Sequence, residues 1–325
     1  MKHILQVLSN HEAYDAIRVL EPLRKIKQSL WNRKISITFK KITDLSEQAF
    51  VGQSHAVFHG VCSTNLVNLL RTLPCPFSFA TDDLQTDIPA WNPSSISPVG
   101  KRTLKWCMDH SSRLICTTQA LADHFNQYET LVCPNLLDFP GYEPSSSDKV
   151  VGLFGNSHAG DIDKLDQIKH AKVVIMSNCL PLNYTHVYRD KHGLLQQKPS
   201  VPNFGLIPIE RDYEKYKNTA RNLRPAVGLV PLVDCPFNRC KSILKFLEYT
   251  QLSAVTVCSD VPPYSGIPDE CVVKVTDDSD WDEAIFFALN HPEVGERAYE
   301  WCNANYSYEN NSNQWINSYE DLSAI

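Results

Sequence analysis

Short apolar runs alternate along this chain with stretches whose apolar positions recur every three or four residues. Residues 4–8 form a run of the first kind and predict a buried strand. Residues 14–29 are of the second kind, with Ile17, Leu20, Leu23 and Ile26 on one side of a helix. Further strands are expected over 35–39, 56–59, 77–80 and 113–117, and helices over 63–73, 101–110 and 120–127. A Pro/Gly/Ser-rich stretch, 140–148, has no periodicity and marks a boundary. Alternation then restarts. Strands are expected over 150–154, 172–176, 204–207, 226–232, 254–257 and 271–275. Helices are expected over 161–168, 210–220, 279–290, 293–303 and 312–322. Such β–α alternation predicts two α/β units, each a mostly parallel sheet with helices on both faces.

Composition adds boundaries to that picture. A chain of 325 residues with 43% apolar and 21% charged residues is long enough for two domains of ordinary size. No apolar run approaches the roughly 18 residues that span a bilayer, and the N-terminal apolar run is too brief for a signal-peptide core. A cytoplasmic location is therefore expected. The eleven cysteines are odd in number and irregular in spacing, so they read as small buried residues rather than a disulfide framework. The net charge is −6, which does not favour non-specific binding to nucleic acid or membrane. An early basic cluster, from Arg18 and Arg24 to Lys40 and Lys41, reads as a solvated helix face and loop.

The chemistry concentrates in the sequence DCPFNRCKSILKFLEYTQLSAVTVCSDVPPY, which begins at Asp234. A turn leads into a short amphipathic helix expected to carry Lys241 at its start and Glu248 seven residues on. A helix N-terminus presents free N–H groups and partial positive charge, and so suits a phosphate. Lys241 adds a full charge there, and Ser242 a hydroxyl. Glu248, about 10 Å along the axis at roughly 1.5 Å per residue, suits ribose hydroxyls. Phosphate at one end and sugar at the other is what a nucleotide-sugar diphosphate requires. Asp82-Asp83, with Asp87, is an acidic cluster able either to hold a divalent cation or to contact an acceptor. His59 follows the third strand as a base or sugar contact, or as a satisfied buried histidine. Gly155 lets a backbone approach a ligand closely after a buried strand, with Asn156, Ser157 and His158 following it into a cleft.

The segment resembles the donor-binding region of GT-B glycosyltransferases, especially the bacterial and phage group related to family 4. VVGLFGNSHAGDIDKL (150–165), SFATDDLQTDIP (78–89), RLICTTQALADHF (113–125) and CPNLLD (133–138) are similar to further segments of that group, in the same order. The resemblance implies two Rossmann-like domains with an interdomain cleft. It implies an acceptor domain over 1–143, a nucleotide-sugar domain over 149–303, and a last helix, 304–325, crossing back to the first domain. It implies sugar transfer with retention and without a metal or other cofactor. Lys241, His59 and Arg18 would then be catalytic. Glu248, Ser242, Asn238, Gly155, Asn156, Ser157 and His158 would hold the donor, and Tyr14, Asp82 and Asp83 the acceptor. That acceptor is a saccharide, a lipid carrier, a protein or a modified DNA base. The chain departs from the pattern twice. Cys240 stands eight positions before Glu248, where many such enzymes carry a first glutamate, and Ser9-Asn10-His11 replaces a Gly-Gly loop. These departures support an alternative, a non-catalytic GT-B-like protein that binds nucleotide sugars. An epimerase on the same fold is a second alternative.

Overall fold

The computed structural model describes residues 1–9, 11–60, 64–92, 96–145, 147–153, 161, 163–177, 185–189, 195–199, 204–207, 212–276 and 280–324. Two parallel sheets organise it. The first holds β1 (Lys2–Leu8), β2 (Ile35–Lys41), β3 (His55–His59), β4 (Phe77–Thr81), β5 (Arg113–Cys116) and β6 (Thr130–Val132), in the order β2-β1-β3-β4-β5-β6. The second holds β7 (Val150–Leu153), β8 (Val173–Met176), β11 (Phe204–Ile207), β12 (Val227–Val230), β13 (Val255–Ser259) and β14 (Val273–Val275), in the order β11-β8-β7-β12-β13-β14. A separate antiparallel hairpin pairs β9 (Thr185–Arg189) with β10 (Leu195–Pro199). The expected α/β class is the observed one.

The apolar runs become central strands because helices cover both faces of each sheet, as a parallel sheet requires. All residues of β3, β4, β7, β12 and β13 are buried. Sequence patterning missed β6, whose three residues are too short to show a period, and the polar hairpin β9–β10. Within the helix expected over 161–168, Asp161 is helical and Asp163–Gln167 forms a 3₁₀ turn. The first helix is longer than expected and irregular. It runs as Glu12–Asp15, a π-helical stretch Ala16–Leu20, and Glu21–Asn32. A π turn inserts an extra residue and often marks a functional position. Here it carries Arg18 inward.

The stretch 140–148 is not a loose tether. Tyr142 donates to the Pro292 carbonyl, and Ser145 and Ser147 both donate to the Arg224 carbonyl. The final helix, Tyr308–Ala324, lays Trp315, Ile316, Tyr319 and Leu322 into one apolar cluster with Ile4, Val19, Leu23 and Ile26. Trp315 Nε1 donates to the Pro134 carbonyl at 2.9 Å. The chain's last element thus completes the core of its first domain. Among the described residues nine cysteines are free and seven of them buried, in keeping with their apolar contexts.

Candidate active site

β12 leaves the second sheet into a loop, a single turn Pro236–Arg239, and then the helix Leu244–Gln251. Lys241 was expected on the first turn of one continuous helix. Instead it lies between two helices, and the physical reason is tertiary. Phe237 and Cys240 are drawn into the apolar core of the first domain beside Leu121 and Ala122. Thr118 Oγ1 donates to the Cys240 carbonyl at 2.9 Å, which takes that oxygen out of helical bonding. The helix therefore begins afresh at Leu244, with no side chain capping its N-terminus. Lys241 precedes that open end.

The Lys241 side chain is only 11% exposed, yet among the described residues its carboxylate partner, Asp83 Oδ1, is 4.0 Å away, at the outer limit of an ion pair. Its ammonium sits 4.9 Å from the Phe237 ring centroid and donates no hydrogen bond to any described residue. Other shielded lysines differ. Lys217 meets Glu21 at 2.8 Å, Lys245 meets Glu248 at 2.6 Å and Lys274 meets Asp269 at 2.6 Å. A largely buried charge is costly without a partner. Among the described residues Lys241 thus has a single anionic partner, Asp83, at the limit of an ion pair.

Glu248 is 7% exposed, one turn into the helix. Its Oε2 accepts from Lys245 Nζ at 2.6 Å, and the Tyr216 hydroxyl lies 3.5 Å away. Oε1 accepts no hydrogen bond from a described residue. Ser242 Oγ accepts from Asn135 Nδ2 at 2.8 Å, and Asn135 Oδ1 accepts from the Arg18 guanidinium at 2.9 Å. This relay joins the two domains. Asn238 is fully buried, and its amide nitrogen donates to Asp161 Oδ1 and the Val233 carbonyl, both at 2.8 Å. Through these two bonds Asn238 ties down the loop that carries Lys241, and its Oδ1 has no partner among the described residues. Gly155, Asn156, Ser157 and His158 lie outside the described residues.

The opposing wall comes from the C-terminal ends of β1, β3 and β4. Arg18 is buried and stacks over Trp315, with its Nε unpaired. His59 Nε2 meets Gln6 Oε1 at 2.8 Å, and its Nδ1 lies 3.5 Å from the Tyr14 hydroxyl. Burial, aided by the Arg18 charge, pulls the His59 imidazole down to about 3. The ring thus lies buried between Gln6 and Tyr14. The Tyr14 phenol is pushed far up by burial first and the Asp82 charge second, and so stays protonated. Asp82 and Asp83 follow β4 and face Lys241. Asp82 keeps part of its surface open, but the surrounding protein desolvates its carboxyl. That burial and the neighbouring Asp83 push it up to about 7, against the pull of Arg18 and Lys241. Among the described residues no three His, Cys, Asp or Glu side chains are grouped to hold a metal ion.

Sequence reasoning missed Asn135, Tyr216, Lys245 and Gln6. Lys245 carried a local signal, three residues before Glu248 on one helix. Asn135, Tyr216 and Gln6 carried none, because their partners are distant in sequence.

No protein-family model and no curated protein sequence matches the chain. Solved structures do match it. Sucrose-phosphate synthase from Thermosynechococcus elongatus is similar with a TM-score of 0.66 and 11% identity, over 100% of both chains. HepE of Anabaena, in complex with UDP and glucose, is similar with a TM-score of 0.64 and 13% identity, again over 100% of both. An α-glucosyltransferase in complex with UDP and a 13-mer DNA containing an HMU base is similar with a TM-score of 0.61 and 10% identity, over 99% of both. The two parallel sheets and these likenesses define the class: the chain has the GT-B fold, two Rossmann-like domains that face each other.

Proposed function

We propose that this protein is a glycosyltransferase that moves a sugar from a nucleotide-diphosphate sugar to an acceptor hydroxyl, with retention and without a metal ion. The observation that carries the reading is the shielded ammonium of Lys241, only loosely paired with Asp83, before the uncapped helix Leu244–Gln251. Both present positive charge at one point, and a diphosphate supplies the matching negative charge. Glu248 Oε1, farther along the same helix, accepts from the ribose. The likeness in fold to proteins solved with UDP supports the same ligand class.

The donor's bond from the anomeric carbon to the diphosphate oxygen breaks, and a bond from that carbon to the acceptor oxygen forms on the same face. The negative charge that develops on the leaving diphosphate is stabilised by Lys241 and the helix N–H groups, positioned in advance. The hydroxyl proton leaves on that diphosphate oxygen. Tyr14, Asp82 and Asp83 hold the acceptor, while Arg18 fixes Asn135 and through it Ser242. Closure of the two domains keeps water from the donor.

The test is Lys241→Ala. Turnover of the donor is expected to fall about 100-fold or more, as on removal of one preorganised electrostatic contact. Calorimetric titration with UDP should show weaker binding, and thermal melts should show an intact fold. Unchanged affinity and turnover would remove the reading.

A further inference from the structure

Charge is unevenly distributed over the first domain. Residues 22–43 hold seven Lys and Arg side chains and no Asp or Glu, in a chain whose net charge is −6. Two of the seven are paired, Lys25 with Asp138 at 2.7 Å and Arg33 with Glu320 at 2.6 Å. Arg24, Lys27, Lys34, Lys40 and Lys41 are exposed and form no ion pair with a described residue. They follow the helix Glu21–Asn32 and then β2, the edge strand of the sheet.

The row is also apolar where water would favour polar groups. Leu20, Arg24, Lys27 and Trp31 recur at steps of four, three and four, so they share one outward helix line. Leu20 is 41% and Trp31 54% exposed, while Leu23, Ile26 and Leu30 on the inner side are buried. Phe39 on β2, 40% exposed, precedes Lys40 and Lys41 in sequence. Lysines alone guard an edge strand against pairing with another chain. That does not account for an aliphatic and two aromatic side chains left in water among them.

We propose that this strip docks the protein peripherally on an anionic phospholipid surface. A helix face of Lys and Arg flanked by Leu and Trp is the composition that lies in a headgroup layer. A nucleic-acid backbone would use the cations and leave Leu20 wet. No described helix is long and apolar enough to cross a membrane, so the contact is a surface one. Lys40 and Lys41 pair in register with Val7 and Leu8, at the end of β1 that leads to Tyr14 and Arg18. Resting on the reading of the cleft given above, this placement offers the cleft acceptors held at such a surface.

Co-sedimentation with vesicles of phosphatidylcholine plus phosphatidylglycerol tests the strip. The wild type is expected to bind these vesicles and not phosphatidylcholine alone, and to release them in high salt. Each charge removed should lower partitioning roughly five-fold. Arg24→Glu with Lys27→Glu should therefore abolish binding. Trp31→Ala should weaken it and remove a blue shift of tryptophan fluorescence. UDP affinity in lipid-free solution should be the same in all variants, which reads the cleft separately. Vesicle binding without nucleotide binding would sink the glycosyltransferase reading and keep the strip. Equal vesicle binding by wild type and double variant would overturn the strip, as would binding of duplex DNA but not vesicles.

Discussion

At the residue scale, the site depends on groups held in unusual states. Asp82 is the clearest. With its carboxyl raised to about 7, the folded chain holds a proton that the unfolded chain releases near 4. Between those values the native state binds more protons, so stability falls as pH rises. Asp82→Asn removes that slope. The variant's advantage over the wild type is expected to grow from pH 4 to pH 7 and to reach at least about 1.4 kcal/mol, the worth of one pKa unit. Urea melts of both proteins at the two pH values check this; parallel curves would put Asp82 in ordinary solvent. Glu248 makes a second case. Lys245 occupies Oε2 only, and the proposed ribose contact falls to Oε1. Glu248→Gln is expected to keep the fold and weaken UDP by about 1.5–3 kcal/mol, the worth of a hydrogen bond to a charged group. Equal affinities in calorimetry would make Glu248 a purely structural partner of Lys245.

At the scale of elements, the helix that carries Glu248 is fixed by its neighbour Tyr249. Its ring lies flat against β12, where Gly228 leaves room. A Cβ on Gly228 would overlap the Tyr249 ring. The Tyr249 hydroxyl receives the Leu153 N–H at 2.7 Å and lies 3.1 Å from the Leu229 carbonyl. The helix is thereby locked to β7 and β12 at once. Gly228→Ala cannot be absorbed by a flexible side-chain end. It is expected to destabilise the protein by about 1–3 kcal/mol, the range for overpacking a close-packed core. Melting temperature measures this. A variant that melts with the wild type would mean that the helix can move off the strand freely.

At the scale of the molecule, the two domains are joined by specific polar contacts and a shared apolar cluster that takes in Ile17. Lys217 reaches Glu21 at 2.8 Å, Arg18 reaches Ser242 through Asn135, and Phe237 enters the first domain's core. The last helix closes the arrangement, with Trp315 under the Arg18 guanidinium at 5.3 Å. Trp315→Ala empties a large buried volume and frees the Pro134 carbonyl. A loss of about 3–5 kcal/mol is expected in urea unfolding. UDP affinity should fall with it, because Arg18 loses its support and the relay to Ser242 loosens. A stability loss with UDP affinity intact would separate the crossing helix from the site.

The sequence by itself determined the class of the fold, because strand and helix periods are local and strong. Residues 4–8 are apolar but for Gln6, and 227–230 hold no polar side chain, as suits a strand covered on both faces. It also marked Lys241, Ser242 and Glu248 as one local group, since they stand within eight residues. Tertiary structure decided the rest. It broke the expected helix ahead of Leu244, because Phe237 and Cys240 gain more by entering the other domain's core than by continuing a turn. It buried Asn238 against Asp161 and His59 against Gln6. It raised Asp82, and it left Lys241 shielded without a close partner. Desolvation and pairing depend on atoms brought together from distant parts of the chain, and no local pattern of residues encodes them.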